Sequence, residues 1–271
     1  MTETRTPAGS RVLVFGDDGS PGADVAWLWI NNHAWPGWRA EVVHATLPPL
    51  VGAPLDTSPV LTEWEPPQPR AAFTESGLDD VRHLTVEVDP RIALDSCTHA
   101  DVMVVGARGR GMLKAFGVGS TTDWLLHRPL TPLVVVRSAR PIHRALVCVD
   151  GSVHADAAVR AFATMPWLPQ VDIVVLGVDD GRAEPASACE TAEALLGTRA
   201  GQVTTVLTAG GATSAILDAV AREDSDLVVL GTRGLTGLRR LRVGSTASAV
   251  ARDADRTTLL AMARTESDDD E

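Results

Sequence analysis

The chain has 271 residues, 45% of them hydrophobic and 22% charged, and 24 basic against 35 acidic side chains give a net charge of −11. This is an ordinary globular composition, which excludes a mostly disordered chain, a collagen or a coiled coil, and the length points to two domains. The acidic balance argues against a nucleic-acid partner held by a basic face, no apolar run is long enough for a membrane helix, and MTETRTPAGS at the N-terminus lacks an apolar signal core, so a cytoplasmic protein is expected.

In chain order, the first apolar run, Arg11–Phe15, reads as a strand and leads into Asp17-Asp18-Gly19-Ser20-Pro21. Ser20 is a helix N-cap with proline at the first helical position. Trp27, Trp29, Trp35 and Trp38 follow and are read as core and interface packing rather than cofactor stacking. A second strand is predicted at Glu41–Ala45, where His44 reads as structural. Residues 47–70 hold seven of the 17 prolines, with Pro66-Pro67 adjacent. Proline that dense forbids regular helix, and the segment is read as a tolerated surface loop. Strands follow at Leu84–Val88, Val102–Gly106 and Leu133–Arg137, with His127 and Arg128 ending a helix between the last two.

After the short connector Ser138-Ala139-Arg140-Pro141 the plan begins again. A strand at Ala145–Val149 ends in Asp150-Gly151-Ser152, and Ser152 is again an N-cap. Ala155, Ala158, Val159 and Phe162 then share one helical face. Further strands are predicted at Asp172–Val178, Gln202–Thr208, Leu227–Gly231 and Thr257–Ala263, with helices at Ala186–Leu196 and Ala215–Arg222. The strand runs are apolar on both faces, the mark of a parallel sheet covered by helices. The expected fold is therefore α/β: two doubly wound five-stranded parallel-sheet domains, at about 9–139 and 142–264. Residues 265–271, rich in acid from Glu266 to Glu271, read as a disordered tail.

Two motifs carry the repeat. Val12–Ser20, VLVFGDDGS, matches Ala145–Ser152, ALVCVDGS, at an offset of 132 residues between Asp18 and Asp150. Ala100–Thr121, ADVMVVGARGRGMLKAFGVGST, matches Ser225–Thr246, SDLVVLGTRGLTGLRRLRVGST, at an offset of 125. Each of these has glycine, two residues, glycine, nine residues, then Gly-Ser-Thr. The glycines are Gly106, Gly109 and Gly119 in half one, and Gly231, Gly234 and Gly244 in half two. Both motifs fall at strand carboxyl ends, where open α/β sheets bind ligands. Glycine lets backbone amides approach a phosphate closely, and Ser120-Thr121 and Ser245-Thr246 open apparent helices whose N–H groups and dipole favour an anion. Residues 106–122 carry Arg108, Arg110 and Lys114 and no acid; residues 231–246 carry Arg233, Arg239, Arg240 and Arg242 and no acid. Such basic loops in an acidic chain argue for an anionic ligand.

GARGRGMLKAFGVGST and GTRGLTGLRRLRVGST resemble the G-2x-G-9x-G(S/T) signature of the nucleotide-binding universal stress proteins, and LVFGDDGS and LVCVDGS resemble that family's first strand and turn. The resemblance covers nearly the whole chain as a tandem pair. It implies an adenine nucleotide α-hydrolase-like, Rossmann-like fold that holds ATP, with Mg²⁺, at the strand ends. It places Asp18 and Asp150 at the ribose or metal-phosphate region and the adenine against the backbone near Ala45 and Val178. It assigns the phosphates to Gly106, Gly109, Gly119 and Ser120 in half one. In half two it assigns them to Gly231, Arg233, Gly234, Gly244, Ser245 and Thr246. It also implies that the last strands of the halves pair to make an internal pseudo-dimer; a further homodimer stays open.

Half one departs from the family pattern at Asp17, an extra carboxylate that would either recruit Mg²⁺ or repel the ligand. Half two departs at Asp-Arg-Thr-Thr before its last strand but keeps its phosphate loop, so the second site is expected to match best. The functional expectation is a nucleotide-binding stress or signalling protein. A slow ATPase or nucleotidyl-transferring enzyme and a ligand-free scaffold are the alternatives; no catalytic residue is identified, and no Walker loop or nucleophile elbow is present. Cys97, Cys148 and Cys189 read as reduced thiols, Cys148 as buried and inert, and the seven histidines lack metal-site spacing.

Overall fold

The computed structural model describes residues 10–46, 68–109, 118–127, 129–181, 184–234 and 244–263. Most of the proline-rich segment, the acidic tail, Arg128, and the loop cations Arg110, Lys114, Arg239, Arg240 and Arg242 lie outside the described residues.

Half one runs β1 (Arg11–Gly16), α1 (Pro21–Asn31), β2 (Trp38–Ala45), β3 (Asp80–Val86), α2 (Pro90–Asp95), β4 (Val102–Gly106), α3 (Ser120–Leu126) and β5 (Leu133–Val136). Half two runs β6 (Arg144–Val149), α4 (Val153–Phe162), β7 (Asp172–Asp179), α5 (Pro185–Leu196), β8 (Val203–Ala209), α6 (Ala212–Arg222), β9 (Leu227–Gly231), α7 (Ser245–Asp253) and β10 (Thr257–Ala261). The strands form one sheet in the order β3-β2-β1-β4-β5-β10-β9-β6-β7-β8. Within each half the pairing is parallel, as strands connected through crossover helices require. Helices α1, α4 and α5 pack on one face, and α2, α3, α6 and α7 on the other.

Two predicted strands sit elsewhere in register. The second begins at Trp38 rather than Glu41, because Trp38 and Ala40 are buried on the sheet. The third is Asp80–Val86 rather than Leu84–Val88. As an edge strand it is largely exposed, so it lacks the apolar run that marks the central strands. The opposite edge, β8, is likewise half-buried to exposed along its length.

The halves meet where β5 and β10 pair antiparallel, Val134 opposite Leu259. Further contacts cross the seam. Arg252 of α7 donates to Asp123 of α3 at 2.6 Å. Arg137 donates to the carbonyls of Ala251 and Arg252 at the end of α7. On the opposite face Trp29 and Trp35 pack edge-on against Trp167 of half two, with ring centres 6.0 and 6.2 Å apart. The four clustered tryptophans of half one are all buried. His33 lies among them: its Nδ1–H donates to the Trp29 carbonyl at 2.7 Å, and its Nε2 accepts the Ile142 N–H at 3.0 Å.

The helix starts follow from capping. Ser20 Oγ accepts the Ala23 N–H and Ser152 Oγ accepts the Ala155 N–H, each relieving an amide that no helical carbonyl can serve. Ser152→Ala is expected to lower the unfolding free energy by about 1 kcal/mol, measured by urea titration.

Candidate functional site

In each half the strand order reverses between the first and fourth strands, β1 beside β4 and β6 beside β9. The crevice at the carboxyl ends of such a pair is where an open α/β sheet can admit a ligand. Two turns line it. In half one, Asp18 follows β1 and its Oδ1 accepts the Ser20 N–H at 3.0 Å; in half two, Asp150 Oδ1 accepts the Ser152 N–H at the same distance. The capping serines also tie the first turn to the one after the fourth strand. Ser152 Oγ donates to the Arg233 carbonyl at 3.1 Å, and Ser20 Oγ donates to the Arg108 carbonyl at 3.4 Å. The Asp-Gly-Ser repeat is thus a structural clasp whatever else it does.

The glycines have separable jobs. A Cβ on Gly106 would lie 2.5 Å from the Gly22 carbonyl oxygen, and one on Gly231 would lie 2.5 Å from the Ala155 nitrogen. These two glycines let a helix start press on the strand end, so their first duty is packing, a different reason from the phosphate approach inferred from spacing. Gly119 and Gly244 turn their own N–H groups to the Ala107 and Thr232 carbonyls, at 2.8 and 2.6 Å. The amides in the first turns of α3 and α7 come after them, at Ser120 and Ser245 onward. Gly109 and Gly234 are the positions that face the aspartates. A Cβ there would come within 2.4 Å of Asp18 Oδ2 and 2.6 Å of Asp150 Oδ2.

In half one these parts enclose a cavity of about 500 Å³. Asp18, Ala45, Gly106, Gly109, Gly119 and Ser120 all line it. Arg108, His44, Thr46 and Thr122 add polar groups, and Pro90 and Leu94 of α2 form part of the apolar wall. Thr122 Oγ1 donates to the Gly106 carbonyl at 2.9 Å, which locks α3 to β4. Half two has an open cleft of about 670 Å³ at the same end of its sheet, between Asp180, the start of α6 and Thr246. Of the half-two residues named from the sequence only Thr246 lines this cleft; Asp150 and Gly234 face one another as Asp18 and Gly109 do. Ser245 opens α7, and Arg233 is fixed through its carbonyl. Val178 is buried near the end of β7, two residues before Asp180.

Asp17 follows neither course set out for it. Its carboxylate is buried and gripped by Arg70, with Nε to Oδ2 at 2.7 Å and Nη2 to Oδ1 at 2.9 Å. It therefore neither stands open to a metal nor faces a ligand as a bare charge. Arg70 was not legible in the sequence, where it is a lone arginine closing the proline-rich stretch. Its guanidinium is held well above the ordinary arginine range, chiefly by the hydrogen bonds to Asp17. His44 Nδ1 donates to the Asp17 carbonyl at 2.6 Å, a structural role. The three cysteines are free and buried; burial drives the Cys148 thiol far up and pushes the Cys189 thiol up to about 11, so neither is a thiolate at neutral pH. Among the described residues no cluster of three His, Cys, Asp or Glu could hold a metal ion. A Mg²⁺ held by protein carboxylates alone does not fit these residues; one carried on a ligand's phosphates would meet Asp18 or Asp150.

The sequence model of the universal stress protein family matches residues 9–137 and 181–261. A universal stress protein from Mycolicibacterium smegmatis is 26% identical over 290 residues, spanning 94% of this chain and 97% of that one. Among solved structures, a universal stress protein from Archaeoglobus fulgidus superposes with a TM-score of 0.65 at 16% identity, covering 93% of this chain and 98% of its own. A functionally unknown protein from Pseudomonas aeruginosa gives 0.61 at 16% identity, with 94% and 93% covered. These two structures show a shared fold.

Proposed function

The chain belongs to the universal stress protein family, and from that premise we propose that it binds an adenine nucleotide, ATP with Mg²⁺, in a stress-response or signalling role. The two halves, about 9–139 and 142–264, act as the units of an internal pseudo-dimer, each with one site. The observation that carries this reading is the half-one cavity. Its volume of about 500 Å³ lies in the range of small-ligand sites, and it gathers a carboxylate, a cation, hydroxyls and glycine backbone at a sheet switch point. In half one Asp18 would accept from the ribose, the backbone at Ala45 would meet the adenine, and Gly109, Gly119 and Ser120 would border the phosphates. Asp150, Val178, Gly234, Gly244, Ser245 and Thr246 would do the same in half two. Gly106 and Gly231 support the phosphate turns from beneath.

Binding rather than turnover is the better reading, because the groups that converge are acceptors, amides and hydroxyls suited to holding a nucleotide. Mg²⁺ would supply charge neutralisation to the phosphates, and the chain would orient them through the glycine turns. Isothermal calorimetry of the full chain with ATP and Mg²⁺ is expected to give saturable heat with two nucleotides bound per chain. No heat would overturn the reading in favour of a scaffold, and rapid phosphate release would shift it to an ATPase.

A further inference from the structure

The two halves repeat one site on one fold, so each serves as a control for the other. They differ at the residue just before the ribose-side aspartate. Half one has Asp17 before Asp18; half two has Val149 before Asp150. A second carboxylate beside an anion site, in a part-buried crevice of low polarisability, opposes a phosphate more strongly than it would in water. Half two avoids the problem with an apolar side chain. Half one retains the charge and covers it.

The cover is Arg70. Its planar fork meets both Asp17 oxygens, at 2.7 and 2.9 Å, the bidentate geometry that lysine cannot reproduce. Its third nitrogen, Nη1, reaches Asp24 Oδ1 on α1 at 2.7 Å. Its backbone N–H donates to His83 Nε2 on β3 at 2.8 Å, and the guanidinium lies 6.0 Å from the Phe15 ring centre. The arginine is therefore pinned from the sheet edge, from the helix and from β1. Asp17 Oδ1 also accepts the Gly19 N–H at 2.9 Å, and the Asp17 carbonyl receives His44, so the same residue shapes the turn that presents Asp18. Asp17 and His44 both line the half-one cavity.

We propose that Arg70 is a positioning residue of the half-one site: it neutralises Asp17 and so makes that cavity receptive to a nucleotide's phosphates, a task that Val149 makes unnecessary in half two. The proposal rests on the nucleotide reading of the cavity. It separates charged from uncharged ligands, since a purely structural arginine would affect adenosine and ATP alike.

The test uses the full chain carrying Gly234→Asp, which fills the half-two site, and calorimetry with ATP–Mg²⁺ and with adenosine. Adding Arg70→Met is expected to weaken ATP about tenfold and adenosine by less than about threefold. Adding Asp17→Val as well, which gives half one the residue of half two, is expected to return ATP to within about threefold of the parent. Unchanged ATP affinity in Arg70→Met, an equal loss for both ligands, or no recovery in the double variant would each overturn the proposal. Should Arg70→Met fail to fold, Asp17→Asn alone removes one of the arginine's two carboxylate partners, leaving Asp24, and is expected to tighten ATP relative to adenosine; no such change is equally fatal. ATP binding by the natural chain that vanishes in the Gly234→Asp parent places all binding in half two and overturns this proposal alone. Absence of binding in the natural chain removes the nucleotide reading and the proposal together.

Discussion

A chain carrying Gly109→Asp and Gly234→Asp is expected to lose nucleotide affinity by at least about 100-fold, close to 3 kcal/mol, while keeping its circular dichroism spectrum. Both glycines face an aspartate oxygen so closely that a Cβ would stand 2.4 Å from Asp18 and 2.6 Å from Asp150. The added side chain must displace that aspartate or swing into the crevice, and its charge opposes the phosphates in either case. The fold tolerates the change, because the neighbour is a side-chain end rather than backbone. Gly106 and Gly231 make the useful contrast. Their Cβ atoms would strike helix backbone, so alanine there is expected to cost stability first and binding as a consequence. Calorimetry and urea denaturation on the two sets of variants separate the roles. Equal stability losses in both sets would refute the division of labour.

The seam between the halves is expected to be acid-sensitive through His33. Burial between the tryptophans lowers its pKa from 6.5 to about 4. The unfolded chain binds a proton near pH 6.5 and the folded chain does not until about pH 4. Stability from this residue is therefore fully present above pH 6.5 and is lost as the pH falls through that window, by about 2 kcal/mol at pH 5 and about 3 kcal/mol at pH 4. The geometry agrees with the direction. Nδ1–H is committed to the Trp29 carbonyl and Nε2 accepts the Ile142 N–H, so a second proton would break the bond that ties half one to the start of half two. Trp29 and Trp167 flank the ring at 4.5 and 4.8 Å, and the nearby His143 adds a repulsive charge when protonated. His33→Gln cannot titrate. Its urea midpoint is expected to fall less between pH 7 and pH 5 than that of the natural chain, and parallel falls would count against His33 as the sensor.

The repeat, the central strands and the helix starts were readable because they are local. An apolar run such as Leu227–Gly231 needs only its own residues to announce a buried strand, and Ser152 caps the helix that begins beside it. The edge strand β3 escaped accurate placement because an edge exposes one flank and much of its surface, which erases the pattern, whereas the other edge, β8, falls within one residue of its predicted span. The glycine spacing showed where side chains were forbidden, but not what forbade them. Helix backbone excludes them at Gly106 and Gly231, and an aspartate does so at Gly109 and Gly234.

By itself, the sequence determined that one α/β plan is written twice and that Asp-Gly-Ser and glycine turns end corresponding strands in each copy. Periodicity, capping and steric exclusion act over a few residues and leave their mark in any one-dimensional reading. Only the tertiary structure decided that Arg70 covers Asp17 from 53 positions away and that His33 is sealed between the halves. Those partners are chosen by where the closed chain brings charge and burial together, and separation along the backbone carries no trace of that choice.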